Sequence, residues 1–227
     1  MCGRFTLTKV DQLPSFFGLD EQPAVKARYN IAPRQDVLVV LHNKPGIVKF
    51  MCWGFPQNLT AGSRCSLLIN ARAETVDRKV TFGYPFRTQR CLIPADGFYE
   101  WSSGHSSRKP FYFHLANRGL FAFAGLWNVF GDSKGGQFNA CTIITTPSND
   151  LIGDIHDRMP VILDRSVFEF WLNKDSKYDL LKSLLKPYPS DPMERVAVSS
   201  EVNRINCDSS KCLNPPKENF HNLRFFN

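Results

Sequence analysis

Apolar residues in this chain come mostly in short runs, separated by clusters of Gly, Pro, Asn, Asp and Ser. Runs such as Val37 to His42, Ile47 to Trp53, Cys91 to Ala95, Phe111 to Leu115, Leu120 to Val129 and Phe138 to Thr145 predict strands joined by turns. Asn43-Lys44-Pro45-Gly46 and Asn117-Arg118-Gly119 predict two hairpins, and Asp96-Gly97 a polar turn ahead of Phe98-Tyr99-Glu100-Trp101. Gly54 to Ser63 and Pro147 to Asp154 read as loops, Val161 to Leu163 and Val196 to Val202 as late strands. Helical spacing is confined to three places. Thr8 or Asp11 caps a helix through Leu13, Phe16 and Phe17 that ends at Gly18, Asp164 caps one through Phe168 and Trp171, and Asp175 or Ser176 caps one through Leu181 and Leu185. Many strands with few helices, and no regular alternation of the two, predict an α+β chain built on a curled sheet or barrel.

With 227 residues, 43% of them hydrophobic, the chain can bury one substantial core and needs no second domain. No apolar run is long enough to span a bilayer, and the start lacks a signal-peptide pattern, so a soluble intracellular protein without membrane contact is expected. Lys plus Arg exceed Asp plus Glu by 28 to 21, a formal charge of +7, which makes a polyanion such as nucleic acid the leading class of partner. The seven Cys include no CxxC pair, against both a disulfide framework and a Cys-rich zinc site. Gly-rich phosphate loops, HExxH and GxSxG are absent, and neither a metal nor another cofactor is expected.

The chemistry centres on the start. Removal of Met1, usual before a small residue, would leave Cys2 with a free α-amine beside its thiol, of reference pKa about 8 and 8.5. A 1,2-aminothiol traps an aldehyde twice, as an imine and then by thiol addition, closing a thiazolidine. Glu100, set among Phe98, Tyr99 and Trp101, reads either as a desolvated acid/base or as the exposed face of an edge strand. His156, in Ile155-His156-Asp157-Arg158-Met159-Pro160, reads as a proton shuttle or a structural donor. Arg72 and Arg158 suit phosphate, or lock Glu74 or Asp157 in a structural pair. Asn70 offers a neutral donor and acceptor.

Six blocks in order, Met1-Cys2-Gly3-Arg4-Phe5, Tyr29-Asn30-Ile31-Ala32-Pro33, Trp53-Gly54, Asn70-Ala71-Arg72-Ala73-Glu74-Thr75, Pro94-Ala95-Asp96-Gly97-Phe98-Tyr99-Glu100-Trp101 and Ile155 to Pro160, closely resemble the SRAP family (SOS response-associated peptidase). The resemblance runs from Cys2 to about Asn206, which places a single compact domain with a pseudo-barrel core over residues 1–210 and an extension of unassigned role over 211–227. It implies a monomeric protein that binds abasic sites in single-stranded DNA and crosslinks to them through Cys2. By the same resemblance Asn70 positions the amine or sugar, Glu100 is the acid/base and His156 assists ring opening. Gly3, Arg4, Arg72 and Arg158 fall where the family meets the lesion or its phosphates. Pro33, Trp53 and Trp101 complete the expected DNA contacts, and Arg78, Lys79, Arg87 and Arg90 read as backbone contacts or as solvated charge.

Three other readings of these residues compete: a peptidase acting on its own N-terminus, a Schiff-base lyase, and a noncovalent single-strand binder. The sequence departs from the family after Trp53-Gly54, where Phe55 to Arg64 carries no Trp. Stacking on bases then falls to Trp53, Phe55 or Trp101, and a preference for single-strand/duplex junctions is left open.

Overall fold

Five strands close on themselves in the computed structural model of the chain, which describes residues 2–43, 46–57, 66–102, 108–131 and 135–216. Met1, Lys44, Pro45 and residues 58–65, 103–107, 132–134 and 217–227 lie outside the described residues. The strands in chain order are β1 (Arg4–Leu7), β2 (Arg28–Ile31), β3 (Asp36–Asn43), β4 (Gly46–Trp53), β5 (Phe55–Gln57), β6 (Ser66–Leu68), β7 (Asn70–Arg72) and β8 (Arg90–Ala95). They continue with β9 (Gly97–Trp101), β10 (Pro110–Leu115), β11 (Phe121–Gly131), β12 (Gln137–Pro147), β13 (Arg158–Pro160), β14 (Ile162–Leu163) and β15 (Met193–Ala197). The helices are α1 (Leu13–Phe17), α2 (Val80–Thr88), α3 (Asp150–Gly153), α4 (Phe168–Leu172) and α5 (Tyr178–Ser183).

The barrel runs β12-β4-β3-β8-β11 and returns to β12, antiparallel except at the β12–β4 step. Closure removes the exposed sheet edges that an open array of this many strands would carry. β7 adds to β12 in parallel, bringing Asn70 opposite Ile143. A second, antiparallel sheet has the order β15-β10-β9-β1-β2. Its inner face carries Phe5, Phe98 and Phe113 into the main core, where Phe5 packs edge-on against Trp53 (5.1 Å) and Phe123 (5.6 Å). Its outer face carries Tyr99 and Tyr112, buried against Val198, Val202 and Cys212. This is the α+β, barrel-centred domain with few peripheral helices that the strand pattern predicts.

Several local expectations are corrected. Asn117 to Gly119 is not a hairpin turn: β10 lies in the outer sheet and β11 in the barrel, so the connection crosses between layers, with Arg118 at φ 55°. Thr8 caps no helix, because its hydroxyl and amide both go to Asp96. The loop after Pro147 contains α3, capped by Asn149 Oδ1 accepting from the Ile152 amide at 3.1 Å. The predicted strand to Val202 ends at Ala197. Helix α2 was hidden in sequence by Pro85 inside it. Arg90 is no DNA contact: it is 4% exposed and donates to the carbonyls of Phe86, Arg87, Trp171 and Asn173, closing helix ends from inside. Packing continues past residue 210. Cys212 is fully buried, the Ser199 amide donates to Asn214 O at 2.7 Å, and Asp208 accepts from the Tyr29 and Asn30 amides at 2.6 and 2.9 Å.

The corner from β8 in the barrel to β9 in the outer sheet is Asp96. Its carboxylate accepts from the Thr6 hydroxyl, the Thr8 amide (2.5 Å) and hydroxyl (2.6 Å), and the Lys9 amide (2.9 Å). Tyr112 then donates to Thr6 Oγ1 at 2.9 Å. Asp96→Ala should strand these donors and destabilise the fold by about 3 kcal/mol or more, whereas Asp96→Asn, which keeps an acceptor oxygen, should cost less. Urea unfolding of the two variants checks this; equal, small losses would refute the pinning role.

Candidate functional site

Cys2 lies two residues before the start of β1 and is fully buried. Arg4 lies opposite Tyr99 and Phe5 opposite Phe98, so continuing that register brings Gly3 opposite Glu100. Asn70, on β7, donates from Nδ2 to the Cys2 carbonyl at 3.0 Å, while its Oδ1 is buried with no partner among the described residues. An amide oxygen left so costs roughly 1–3 kcal/mol, which marks a position built for a donor the folded chain does not supply.

Glu100 is 3% exposed, because β9 is an inner strand of its sheet between β1 and β10; the alternative of an exposed edge-strand face is excluded. Burial pushes its pKa up to about 7, and the Asp157 carboxylate acts in the same direction. Burial and then the nearby Glu100 charge raise the Cys2 thiol well above its usual value, so it is protonated at neutral pH. His156 is half-buried, and burial lowers its pKa. Its Nδ1 lies 3.0 Å from the Arg158 amide and 2.9 Å from Asp157 Oδ1. A lone pair on Nδ1 serves the amide and a proton on it serves the carboxylate, so the ring has a partner in either state. These four residues come from four separate segments: a hydrogen bond joins Asn70 to Cys2, electrostatics joins Cys2 to Glu100, and the Asp157 carboxylate acts on both Glu100 and His156.

Beside them a groove of ≈ 590 Å³ is lined by Gly3, Arg4, Pro33 and Trp101, together with Arg34, Arg108, Asn203 and Ile205. Arg4 donates to Asn30 Oδ1 and Val202 O, both at 2.7 Å, and its guanidinium sits 5.9 Å from the centre of the Trp101 ring. Trp101 Nε1 in turn donates to Asn203 Oδ1 at 2.7 Å. Arg34 occupies the third position of a turn closed by Gln35 N to Ala32 O (3.3 Å), with φ 73°. Pro33 suits the second position of such a turn, but the third favours Gly, so the backbone accepts strain to put a guanidinium on the groove. Arg34 and Arg108 were not singled out in the sequence. The strain of a non-Gly residue after Pro33 is invisible there, and nothing near Arg108 marks it.

Other expected contacts fall elsewhere. Trp53 is fully buried, donating from Nε1 to Ile69 O at 3.0 Å, and Phe55 is fully buried too; neither can stack on a base, which leaves Trp101. Arg158, 9% exposed, holds both oxygens of Glu74 and the Thr145 carbonyl (2.7 Å). The structural pair is thus the arrangement observed, and that partner holds the Glu74 carboxyl below its usual range. Arg72, Arg78 and Lys79 are exposed, with Arg78 donating to Glu74 O at 2.9 Å.

The sequence model for SOS response associated peptidase (SRAP) matches residues 1–205. The chain belongs to the SRAP family. It is 41% identical over 224 residues to the abasic site processing protein YoqW of Bacillus subtilis (strain 168), covering 94% of this chain and 99% of that one. To YoaM of the same organism, also named an abasic site processing protein, it is 40% identical over 224 residues, covering 94% and 97%. A crystal structure of a protein from Bacteroides thetaiotaomicron superimposes with a TM-score of 0.82 at 22% identity, covering 94% of this chain and 99% of that one, a likeness of fold. The SRAP match ends before Cys207 and the packed segment that follows it.

The Glu100 environment predicts a pH signature. Its carboxyl is neutral in both states below the ordinary value near 4.5; between there and about 7 only the unfolded chain ionises. That group's contribution to stability is therefore present at low pH and lost as pH rises through about 7. Glu100→Gln should remove this component, so the variant's stability relative to wild type should grow from pH 4.5 to 7.5 in urea unfolding. A constant difference across that range would show that Glu100 is not held neutral.

Proposed function

We propose that this SRAP protein captures abasic sites in single-stranded DNA by closing a thiazolidine on Cys2. The observation that carries the reading is the meeting of three groups: Cys2 held through its carbonyl by Asn70, with Glu100 beside it titrating near neutral pH. The names of YoqW and YoaM, abasic site processing proteins, support the substrate class.

The abasic deoxyribose is mainly a closed hemiacetal. As the ring C–O bond breaks, neutral His156 accepts the proton of the anomeric hydroxyl and passes it to the departing ring oxygen, giving the aldehyde. Once Met1 is removed, the Cys2 amine adds to the carbonyl carbon, and protonated Glu100 gives its proton to the departing hydroxyl, so that water leaves and the iminium remains. The thiol then adds across the C=N bond, sulfur to carbon. Its proton goes to the Glu100 carboxylate, which restores the acid, and the ring nitrogen keeps the N–H of the iminium. Because the thiol's pKa is raised in this site, the amine attacks first and the sulfur closes the ring in the second step. Ring closure removes the iminium that would promote β-elimination, so the strand stays whole. The Asn70 Oδ1 acceptor fits the amine or a sugar hydroxyl.

The groove serves the flanking strand. Trp101 offers a stacking surface, and Arg4, Arg34 and Arg108 offer cations for phosphates.

Mature protein mixed with an oligonucleotide carrying one abasic site should give a heat-stable adduct on a denaturing gel. Cys2→Ala and protein retaining Met1 should give none, and Glu100→Gln should form it at least about tenfold more slowly. Wild-type binding without any adduct would overturn covalent capture, and cleaved strands in place of an adduct would indicate a lyase. Arg34→Ala and Arg108→Ala should each reduce the slope of log affinity against log salt by about 0.7, the value of one single-strand phosphate contact. An unchanged slope would remove that arginine from the DNA path.

A further inference from the structure

Residues 199–214 form a strap across the outer face of the second sheet, and part of it lies beyond the SRAP match. The strap meets the groove through Asn203 and Ile205. It also holds Asn30, whose Nδ2 reaches Cys207 O (2.7 Å), Arg204 O (3.0 Å) and Val202 O (3.2 Å), while Asn30 Oδ1 accepts from Arg4. Within it, Cys207 and Cys212 place their sulfurs 3.5 Å apart, and Cys212 Sγ donates to Cys207 O at 3.1 Å. We propose that Cys207 and Cys212 form a two-electron redox site whose disulfide pins the strap, and with it the groove wall, in place.

Exposure gives the two sulfurs different parts. Cys207 is the more exposed of the two, half-buried with its sulfur 3.8 Å from Glu201 Oε2, whereas Cys212 is fully buried with the Cys207 sulfur 3.5 Å away. With hydrogen peroxide as oxidant, the Cys207 thiolate attacks one peroxide oxygen and the O–O bond breaks, leaving a sulfenic acid and releasing water once protonated. The Cys212 sulfur then attacks Cys207 Sγ; the S–O bond breaks, the hydroxyl leaves as water with the Cys212 proton, and the S–S bond forms. Two thiols and one peroxide thus give one disulfide and two waters. Reaching a bond of about 2.05 Å needs the sulfurs to close by about 1.5 Å. Side-chain rotation has to supply that, because Asp208 anchors the intervening turn on the Tyr29 and Asn30 amides. A dithiol reverses the reaction by exchange. The site stands independently of the DNA reading, because its chemistry needs no nucleic acid.

The test uses the full mature chain, reduced and then treated with equimolar hydrogen peroxide. Its mass should fall by about 2 Da. Tryptic digestion under denaturing, non-reducing conditions should yield segments 205–211 and 212–217 joined, and dithiothreitol should separate them. Cys212→Ser should instead leave a sulfenic acid on Cys207 that a 1,3-dione captures, and Cys207→Ser should form neither product. On the folded protein, oxidation should slow tryptic cleavage after Arg204 at least about fivefold, since the segment leading to Cys207 is then tied to Cys212, which is buried against Tyr99 and Tyr112. The proposal is overturned if the joined peptides are absent and wild-type Cys207 is over-oxidised as readily as in Cys212→Ser. It is equally overturned if the disulfide forms while cleavage after Arg204 is unchanged, because the crosslink would then pin nothing.

Discussion

The Asp96 carboxylate holds the strand on which the whole site hangs. A chain start is ordinarily the least ordered part of a fold, yet here the second residue is buried to completion. Two anchorages make this possible. On the outer sheet, Asp96 gathers Thr6, Thr8 and Lys9; on the inner side, Phe5 enters the barrel between Trp53 and Phe123. Gly97 follows from the same corner, since a Cβ there would come within 2.1 Å of the Tyr112 hydroxyl. That hydroxyl is the one that completes the Thr6–Asp96 network.

With the strand fixed, electrostatics at its tip sets the chemistry. Taking Cys2 and Glu100 out of water favours the neutral form of each, so the thiol keeps its proton and the carboxyl titrates near 7. A site of that kind is poorly suited to a nucleophile that must act first as a thiolate. It suits an acid that shuttles one proton at neutral pH. The buried Asn70 Oδ1 adds a neutral acceptor where a charged one would deepen the repulsion between Cys2 and Glu100. The proposed sequence of amine first and sulfur second is the order these environments favour.

Much of this was legible in the sequence. Short apolar runs gave the strands, and the ordered blocks gave the family and drew together Cys2, Asn70, Glu100 and His156. What escaped depended on tertiary partners. Trp53 and Arg158 look like DNA contacts as residue types, but Trp53 finds its place against Phe5 and Arg158 finds Glu74; only long-range contacts reveal either. Arg90 is likewise a cation whose partners are four carbonyls from two regions of the chain. Glycine or proline signals cannot reveal that Arg34 sits at positive φ, and a short apolar pattern cannot tell that β10 and β11 belong to different layers. The strap after residue 205 lacked periodicity because side-chain and turn hydrogen bonds hold most of it.

The central claim is that one carbon of the lesion ends bonded to both the nitrogen and the sulfur of Cys2. Labelling the anomeric carbon of the abasic site with carbon-13 and recording the NMR spectrum of its complex with mature protein observes that carbon directly. A thiazolidine should appear as a single saturated carbon coupled to the nitrogen of labelled Cys2, carrying sulfur as its other heteroatom and stable to removal of free protein. A persistent imine carbon, or an unchanged hemiacetal in a saturated complex, would contradict it.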